Sequence, residues 1–447
     1  MSRAVRESGV EFLGEVPSHW DVQPVVTLAR VLTSTVDKKS YEGEQAVKLC
    51  NYTDVYYSDR IVDDSNFMTA TATSDQIAKF SVRAGDVPFT KDSETADDIG
   101  IPSYVPTDLP GTVYGYHLSI YRPVDRRRGR FLKYLLESDY ARAYFEAKTP
   151  GVTRVGLSQA TIRYFRAPTP PVEEAVAIAD YLDRETTQID AFIAKNEELI
   201  SLLTERRAAT ITSVLTSGLE ESPRGDDDRW FGAIPAHWES MPLRYLLRRI
   251  EQGVSPQAEG GLADGDGQFG VLKSGCVNGG VWRPTEHKLL SSDFDFDPSL
   301  LVRSGDLLVN RASGSIPLLG SAALVERSQY QLILSDKTFR LIPSARTTSS
   351  YLYWLLNSTI YREQVESSVS GADGLANNLP QSSLRRFVLP VPPREEQDRI
   401  ASYLTQRCAQ IDKSIDAARR GVRLARERRA ALISAAVTGK IEVGVAA

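Results

Sequence analysis

PPVEEAVAIADYLDRETTQIDAFI, residues 170–193, and PPREEQDRIASYLTQRCAQIDKSI, residues 392–415, are two copies of one segment. Glu173, Glu174, Ile178, Tyr181, Leu182, Gln188, Ile189 and Asp190 return as Glu395, Glu396, Ile400, Tyr403, Leu404, Gln410, Ile411 and Asp412. Each copy reads as the start of a long helix. The paired prolines stop what precedes them and suit a helix start, where a missing N–H costs nothing, and the two glutamates complement the positive end of the helix dipole. No proline follows before Thr216 or Thr438, and Gly421 is the only interior glycine. Ile178, Leu182, Ile189, Ile193, Ile200 and Leu203 in the first helix, and Ile400, Leu404, Ile411, Ile415 and Val422 in the second, recur at spacings that fit a packed seam. At 1.5 Å per residue each helix would be roughly 65 Å long. Neither can bury its stripe alone, so the two are expected to pack as an antiparallel pair.

The duplication extends outward from these helices. Phe12-Leu13-Gly14-Glu15-Val16-Pro17-Ser18-His19-Trp20 returns as Trp230-Phe231-Gly232-Ala233-Ile234-Pro235-Ala236-His237-Trp238, and Val82-Arg83-Ala84-Gly85-Asp86 returns as Val302-Arg303-Ser304-Gly305-Asp306. Between these landmarks the halves agree only at scattered points. Similar ends frame dissimilar middles, a pattern expected when a common frame carries two versions of a related task. The acidic, Pro- and Gly-containing stretch 220–229 reads as a linker. The expected organisation is a first globular domain at 12–169, a long helix at 170–219, the linker, a second domain at 230–391 and a second long helix at 392–442. Short β-rich runs such as Val47–Cys50, Gly115–Tyr121 and Lys337–Ile342, together with helical spacing at Phe131–Phe145 and Tyr351–Val365, give each middle a mixed α+β character within an overall α/β class.

Composition narrows the function classes. The chain has 447 residues, 42% of them hydrophobic and 25% charged, as in ordinary globular proteins. No apolar run is long enough to cross a bilayer and the opening lacks the apolar core of a signal peptide, so no membrane partner and a cytoplasmic location are expected. Cys50, Cys276 and Cys408 are far apart and odd in number, which predicts free thiols. His19, His117, His237 and His287 are single and never at metal-ligand spacing, so no metal is expected. His19 and His237 each precede a tryptophan, but no nucleophile or carboxylate recurs beside both in sequence; core or capping roles are expected. There is no GxxxxGK[ST] loop for ATP, no dinucleotide loop and no Asn/Asp-Pro-Pro-aromatic methyltransferase tetrapeptide, so the chain reads as non-catalytic.

The Gly-x-x-Pro-x-His-Trp opening, the Gly-Asp turn after Val-Arg, and the Pro-Pro-x-Glu-Glu helix running on to Gln-Ile-Asp resemble the specificity subunit of type I restriction-modification enzymes, twice and in order. The resemblance implies that each middle is a target recognition domain reading half of a bipartite double-stranded DNA site. It also implies that the paired helices act as a spacer and dock two methyltransferase subunits, with restriction (motor-nuclease) subunits as further partners. Cofactors would then sit on those partners, S-adenosylmethionine on the methyltransferases and ATP with magnesium on the motors, and none on this chain. The alternative from the residues alone is a two-headed coiled-coil scaffold that binds proteins and no DNA.

A net charge of -5 runs against DNA binding. Patches set local attraction to phosphate, however, and Arg126, Arg127, Arg128 and Arg130 are the densest candidate. After each Gly-Asp turn comes a polar loop with groups suited to base edges and phosphate: Lys91 and Ser93 in the first half, Asn310, Arg311 and Ser313 in the second. A second pair of loops precedes the long helices, where the resemblance places a recognition loop: Arg154 and Ser158, then Asn377 and Asn378.

Overall fold

The computed structural model describes residues 4–63, 66–149, 155–265, 267–369 and 377–444. The chain divides into two compact units, residues 1–197 with 419–447, and residues 198–418. Neither boundary falls at 220–229. Both fall inside the long helices, Val172–Ser217 and Arg394–Val437, so each unit takes the start of one helix and the end of the other.

Apolar burial explains that division. In the first unit Ala175, Ile178 and Leu182 of the first long helix share one core with Ile433, Ala436 and Val437 of the second, against Trp20, Phe131 and Phe165. In the second unit Ile211, Val214 and Leu215 share a core with Ile400, Leu404 and Cys408, against Trp238 and Trp354. Within the first unit Arg429 bonds Asp190 at 2.9 Å and Arg426 bonds Glu197 at 2.7 Å, so residue numbers fall along one helix as they rise along the other. The segments there are antiparallel, as expected. Within the second unit Arg207 bonds Asp412 at 2.8 Å. These pairs are at least partly exposed and contribute little stability; the buried stripe carries the packing. Of the expected stripe, Ile178, Leu182, Ile189, Ile400, Leu404, Ile411, Ile415 and Val422 are buried, while Ile193, Ile200 and Leu203 are only half-buried.

The two middles repeat one topology. The first unit has an antiparallel sheet in the order Ala29–Thr33, Leu118–Pro123, Val87–Thr90; the second has Leu247–Gln252, Thr338–Pro343, Leu307–Asn310, extended by Ala322–Leu324. A second sheet in each unit contains one parallel pair, Gln45–Cys50 with Thr112–Tyr114 and Phe269–Leu272 with Gln331–Ile333. The helical runs expected at Phe131–Phe145 and Tyr351–Val365 are each broken in two, Gly129–Glu137 with Asp139–Ala147 and Ser349–Leu355 with Thr359–Val369. Ser138 and Ser358 mark the breaks, each donating its hydroxyl back to a leucine carbonyl, Leu135 at 2.6 Å and Leu355 at 2.7 Å. A hydroxyl that satisfies a terminal carbonyl ends a helix without a glycine. Arg224–Asp228, read as linker, is instead a strand paired with Gly232–Pro235.

The repeated Gly-Asp turn sets a carboxylate against an arginine in each unit. Gly85 and Gly305 have φ of +87° and +91°, a region that favours glycine, and the next residue caps the turn: Asp86 and Asp306 accept from the amides of Arg83 and Arg303 at 3.1 and 2.9 Å. Asp86 is fully buried and is met by Arg122 through Nε at 2.8 Å and Nη2 at 2.7 Å. Asp306 is met by Arg340 at 3.0 Å, which also bonds Glu251 at 2.6 Å.

Candidate nucleic-acid interface

The frame comes first, because it positions the loops. His19 Nε2 lies 2.8 Å from Glu174 and His237 Nε2 lies 2.9 Å from Glu396. A carboxylate therefore does recur beside both histidines, brought from the first turn of a long helix, which corrects the expectation from sequence. The histidine side chains are about half exposed, so they are not core residues either. Each imidazole ties the opening of a unit to the start of its helix.

The two loops picked out in each half prove to be hydrogen-bonded to one another. In the first unit Asp92–Ser93 pairs with Val155–Gly156; in the second Ala312–Ser313 pairs with Asn377–Asn378. The bonds around them repeat. The carbonyl of Lys91 accepts from the amide of Leu157, and that of Arg311 from Leu379, both at 2.8 Å. The amide of Lys91 donates to the carbonyl of His117 at 3.2 Å and that of Arg311 to Lys337 at 2.9 Å. Lys91 and Arg311 thus occupy the same place, a basic side chain where the paired loops leave the sheet.

Several candidates have other work. Asn310 is fully buried, donates to Asn278 Oδ1 at 2.9 Å and accepts from the amide of Ala312; it is a framework residue out of reach of a base edge. Ser158 caps the short helix Gln159–Arg163 by accepting from the amide of Thr161 at 3.0 Å. Arg311 is held by the carbonyl of Asp336 at 3.0 Å and lies over the ring of Phe339. Ser93, Ser313 and Asn377 are half-buried on the paired loops, and Asn378 is exposed. Arg154 lies outside the described residues.

The arginine cluster is also engaged. Arg130 bonds Asp180 at 2.6 Å and Asp183 at 2.9 Å, Arg128 donates to the carbonyl of Pro170 at 2.8 Å, and Arg127 pairs with Asp125 at 2.8 Å and Glu173 at 3.5 Å. Its hydrogen bonds hold the Asp125 carboxyl below the usual range. Only Arg126, exposed and 4.0 Å from Asp108, keeps a loosely held charge. The cluster clamps the unit onto the first turns of the long helix, where sequence counted charges but could not see the carboxylates facing them. In a DNA complex, Arg130→Ala is therefore expected to leave the slope of log affinity against log salt unchanged. Lys91→Ala is expected to lower it by about 0.9, one phosphate contact. A filter-binding or fluorescence salt titration reads both; equal slopes for Lys91→Ala and wild type would remove Lys91 from the interface.

A feature not anticipated from the sequence lies beside the first loop pair. A cavity of about 520 Å³ is walled by Tyr52, Tyr56, Tyr57 and Tyr116, with Asp92 and Asp98 among its lining. Tyr52 and Tyr56 stack at 5.5 Å between ring centroids. Tyr56 donates its hydroxyl to Asp98 at 2.8 Å, and that bond, with some burial, pushes the phenol up to about 12. His117 Nδ1 lies 2.9 Å from Asp92. The only signal in sequence is the Tyr52, Tyr56, Tyr57 spacing, which a helix places on neighbouring faces. Among the described residues no group of histidine, cysteine and carboxylate side chains could hold a metal ion, and no helix is long and apolar enough to cross a membrane.

Comparison with known proteins gives this arrangement a family context. The EcoKI specificity subunit of Escherichia coli K12 is 23% identical over 413 residues, 89% of this chain and 84% of that subunit. The EcoEI specificity subunit of Escherichia coli is 29% identical over 183 residues, 41% of this chain and 30% of that subunit's length. The curated relatives are type I restriction enzyme specificity subunits. The HsdS subunit of Thermoanaerobacter tengcongensis superposes with a TM-score of 0.53 at 18% identity, over 95% of this chain and 98% of that one. A chain from a structure of type I restriction-modification assembly reaches 0.65 at 19% identity, over 95% and 99%. The specificity-subunit fold is thus shared along nearly the whole length. No protein-family model matches the chain.

Proposed function

We propose that this chain is the DNA-reading specificity subunit of a type I restriction-modification complex, in which each unit recognises one half of a bipartite double-stranded site. The observation that carries this reading is the repeated loop pair. The same two loops are joined by the same hydrogen bonds in both units, on a repeated frame, while the side chains they present differ. A fixed frame with variable loops suits two separate recognition events, whose discrimination adds roughly.

On this reading the long helices dock two methyltransferase subunits and restriction subunits join them. The chain itself is non-catalytic; S-adenosylmethionine, ATP and magnesium belong to the partners. Its acidic total charge fits a subunit that borrows a basic channel from those partners, so the isolated chain should bind DNA weakly and the assembled complex tightly. Mapping methylated adenines in the genome of cells with and without the gene tests this. The expected result is that one bipartite motif loses its methylation on deletion and regains it on complementation. An unchanged methylation map would overturn the reading.

A further inference from the structure

The aromatic cavity of the first unit adjoins the first loop pair, with Asp92 and Ser93 in its lining. Its residues come from three places that the fold brings together: the short helix Tyr52–Tyr56, the first recognition loop at Asp92–Ser93, and the turn at Tyr116–His117 that precedes the central strand. Tyr57 and Tyr116 expose 79% and 44% of their surface, so both rings are open to a ligand at the cavity mouth. The lining is acidic: Asp37, Asp92, Glu94 and Asp98 against Lys38. A phosphate is therefore the wrong occupant. Ring faces and carboxylate oxygens suit a nucleobase carrying an exocyclic amino group, since carboxylates accept from the amino group of cytosine, and adenine presents a similar donor.

The acceptors are held in place in advance. Both oxygens of Asp92 face His117 Nδ1, at 2.9 and 3.0 Å, and both oxygens of Asp98 accept from the Tyr56 hydroxyl, at 3.0 and 2.8 Å, which fixes the two planes. A carboxylate has about four lone-pair sites, so each keeps capacity for a further donor. In the second unit the turn equivalent to Tyr116–His117 carries Asp336 and Lys337, paired at 3.0 Å, a different chemistry at the same place. We infer that this cavity is a specificity site of the first unit, accepting the amino-bearing base, cytosine or adenine, at one position of its half-site through Asp92 and Asp98 against the tyrosine walls. The inference rests on the DNA-reading function proposed above.

The test uses the chain assembled with its methyltransferase subunits and duplexes carrying the motif found by methylation mapping. In each duplex one adenine is replaced by purine, or one cytosine by 2-pyrimidinone, which deletes a single amino group. For the wild-type complex one such deletion, confined to one half-site, is expected to weaken binding by roughly 5- to 150-fold. Asp92→Ala, Asp98→Ala and Tyr57→Ala should each shrink that penalty, the aspartate variants to within about twofold, and leave the other half-site unaltered. Tyr57 is so exposed that its removal keeps the fold, which covers the case in which an aspartate variant fails to fold. If wild type discriminates sharply and all three variants keep the full penalty, the cavity assignment is overturned while DNA reading stands. If the wild-type complex shows no sequence preference, DNA reading itself fails and the assignment falls with it.

Discussion

Arg122→Met is expected to cost the first unit about 3–5 kcal/mol, the loss seen when one partner of a buried ion pair is removed. Asp86 is fully buried and receives both Nε and Nη2 of Arg122, with Tyr114 donating its hydroxyl at 3.0 Å. Methionine fills much of the arginine's volume but supplies neither charge nor donor, leaving a carboxylate in the core with no cation. Amide hydrogen exchange would show it as a drop in protection of roughly two to four orders of magnitude across Val87–Thr90 and Leu118–Pro123. Arg122→Met with Asp86→Leu should recover part of the loss, because apolar groups can replace a buried pair at little cost. The counterpart Arg340→Met should be milder, since Asp306 and Glu251 keep 18% and 19% of their side-chain surface exposed and water can take over some of the lost bonds. A loss below about 1 kcal/mol for Arg122→Met would show that Asp86 is not the desolvated charge its surroundings indicate.

Replacing residues 12–169 with the matching region of a relative is expected to rewrite one half of the methylated motif and leave the other intact. Each mismatched base pair in a recognised site costs about 1–3 kcal/mol, so a changed half-site shifts methylation by orders of magnitude and the map reads it without ambiguity. The structure adds a condition. Tyr134 bonds Asp183 at 2.7 Å, Arg130 bonds Asp180 and Asp183, and the amide of Asp139 donates to Ser434 at 2.9 Å, all across the edges of that swap. A donor region lacking these partners should give less folded protein than one transferred together with residues 170–197 and 419–444. Both chimaeras should nonetheless show the same new motif. A swap that altered both half-sites would mean that the units do not read independently.

The amino-acid sequence by itself determined the duplication, the two long helices with most of their apolar stripes, the unpaired cysteines and the places of the repeated polar loops, because the signals for them are local. Proline punctuation, four- and seven-residue apolar spacing and glycine-aspartate turns act within a few residues and need no partner. What the tertiary structure decided is who faces whom. The His19–Glu174 and His237–Glu396 contacts join residues far apart in the chain, and repetition revealed that both mattered without revealing that they meet. Arg130 and its neighbours read as free charge until Asp180, Asp183 and Glu173 came into place opposite them. Asn310 looked like a base-reading donor because polarity is visible in sequence, whereas its burial is set by strands packed on both sides of it. The unit boundaries inside the helices follow from the same cause: each globular core completes itself with the end of a helix that begins elsewhere in the chain, and only three-dimensional burial of apolar surface selects that partner.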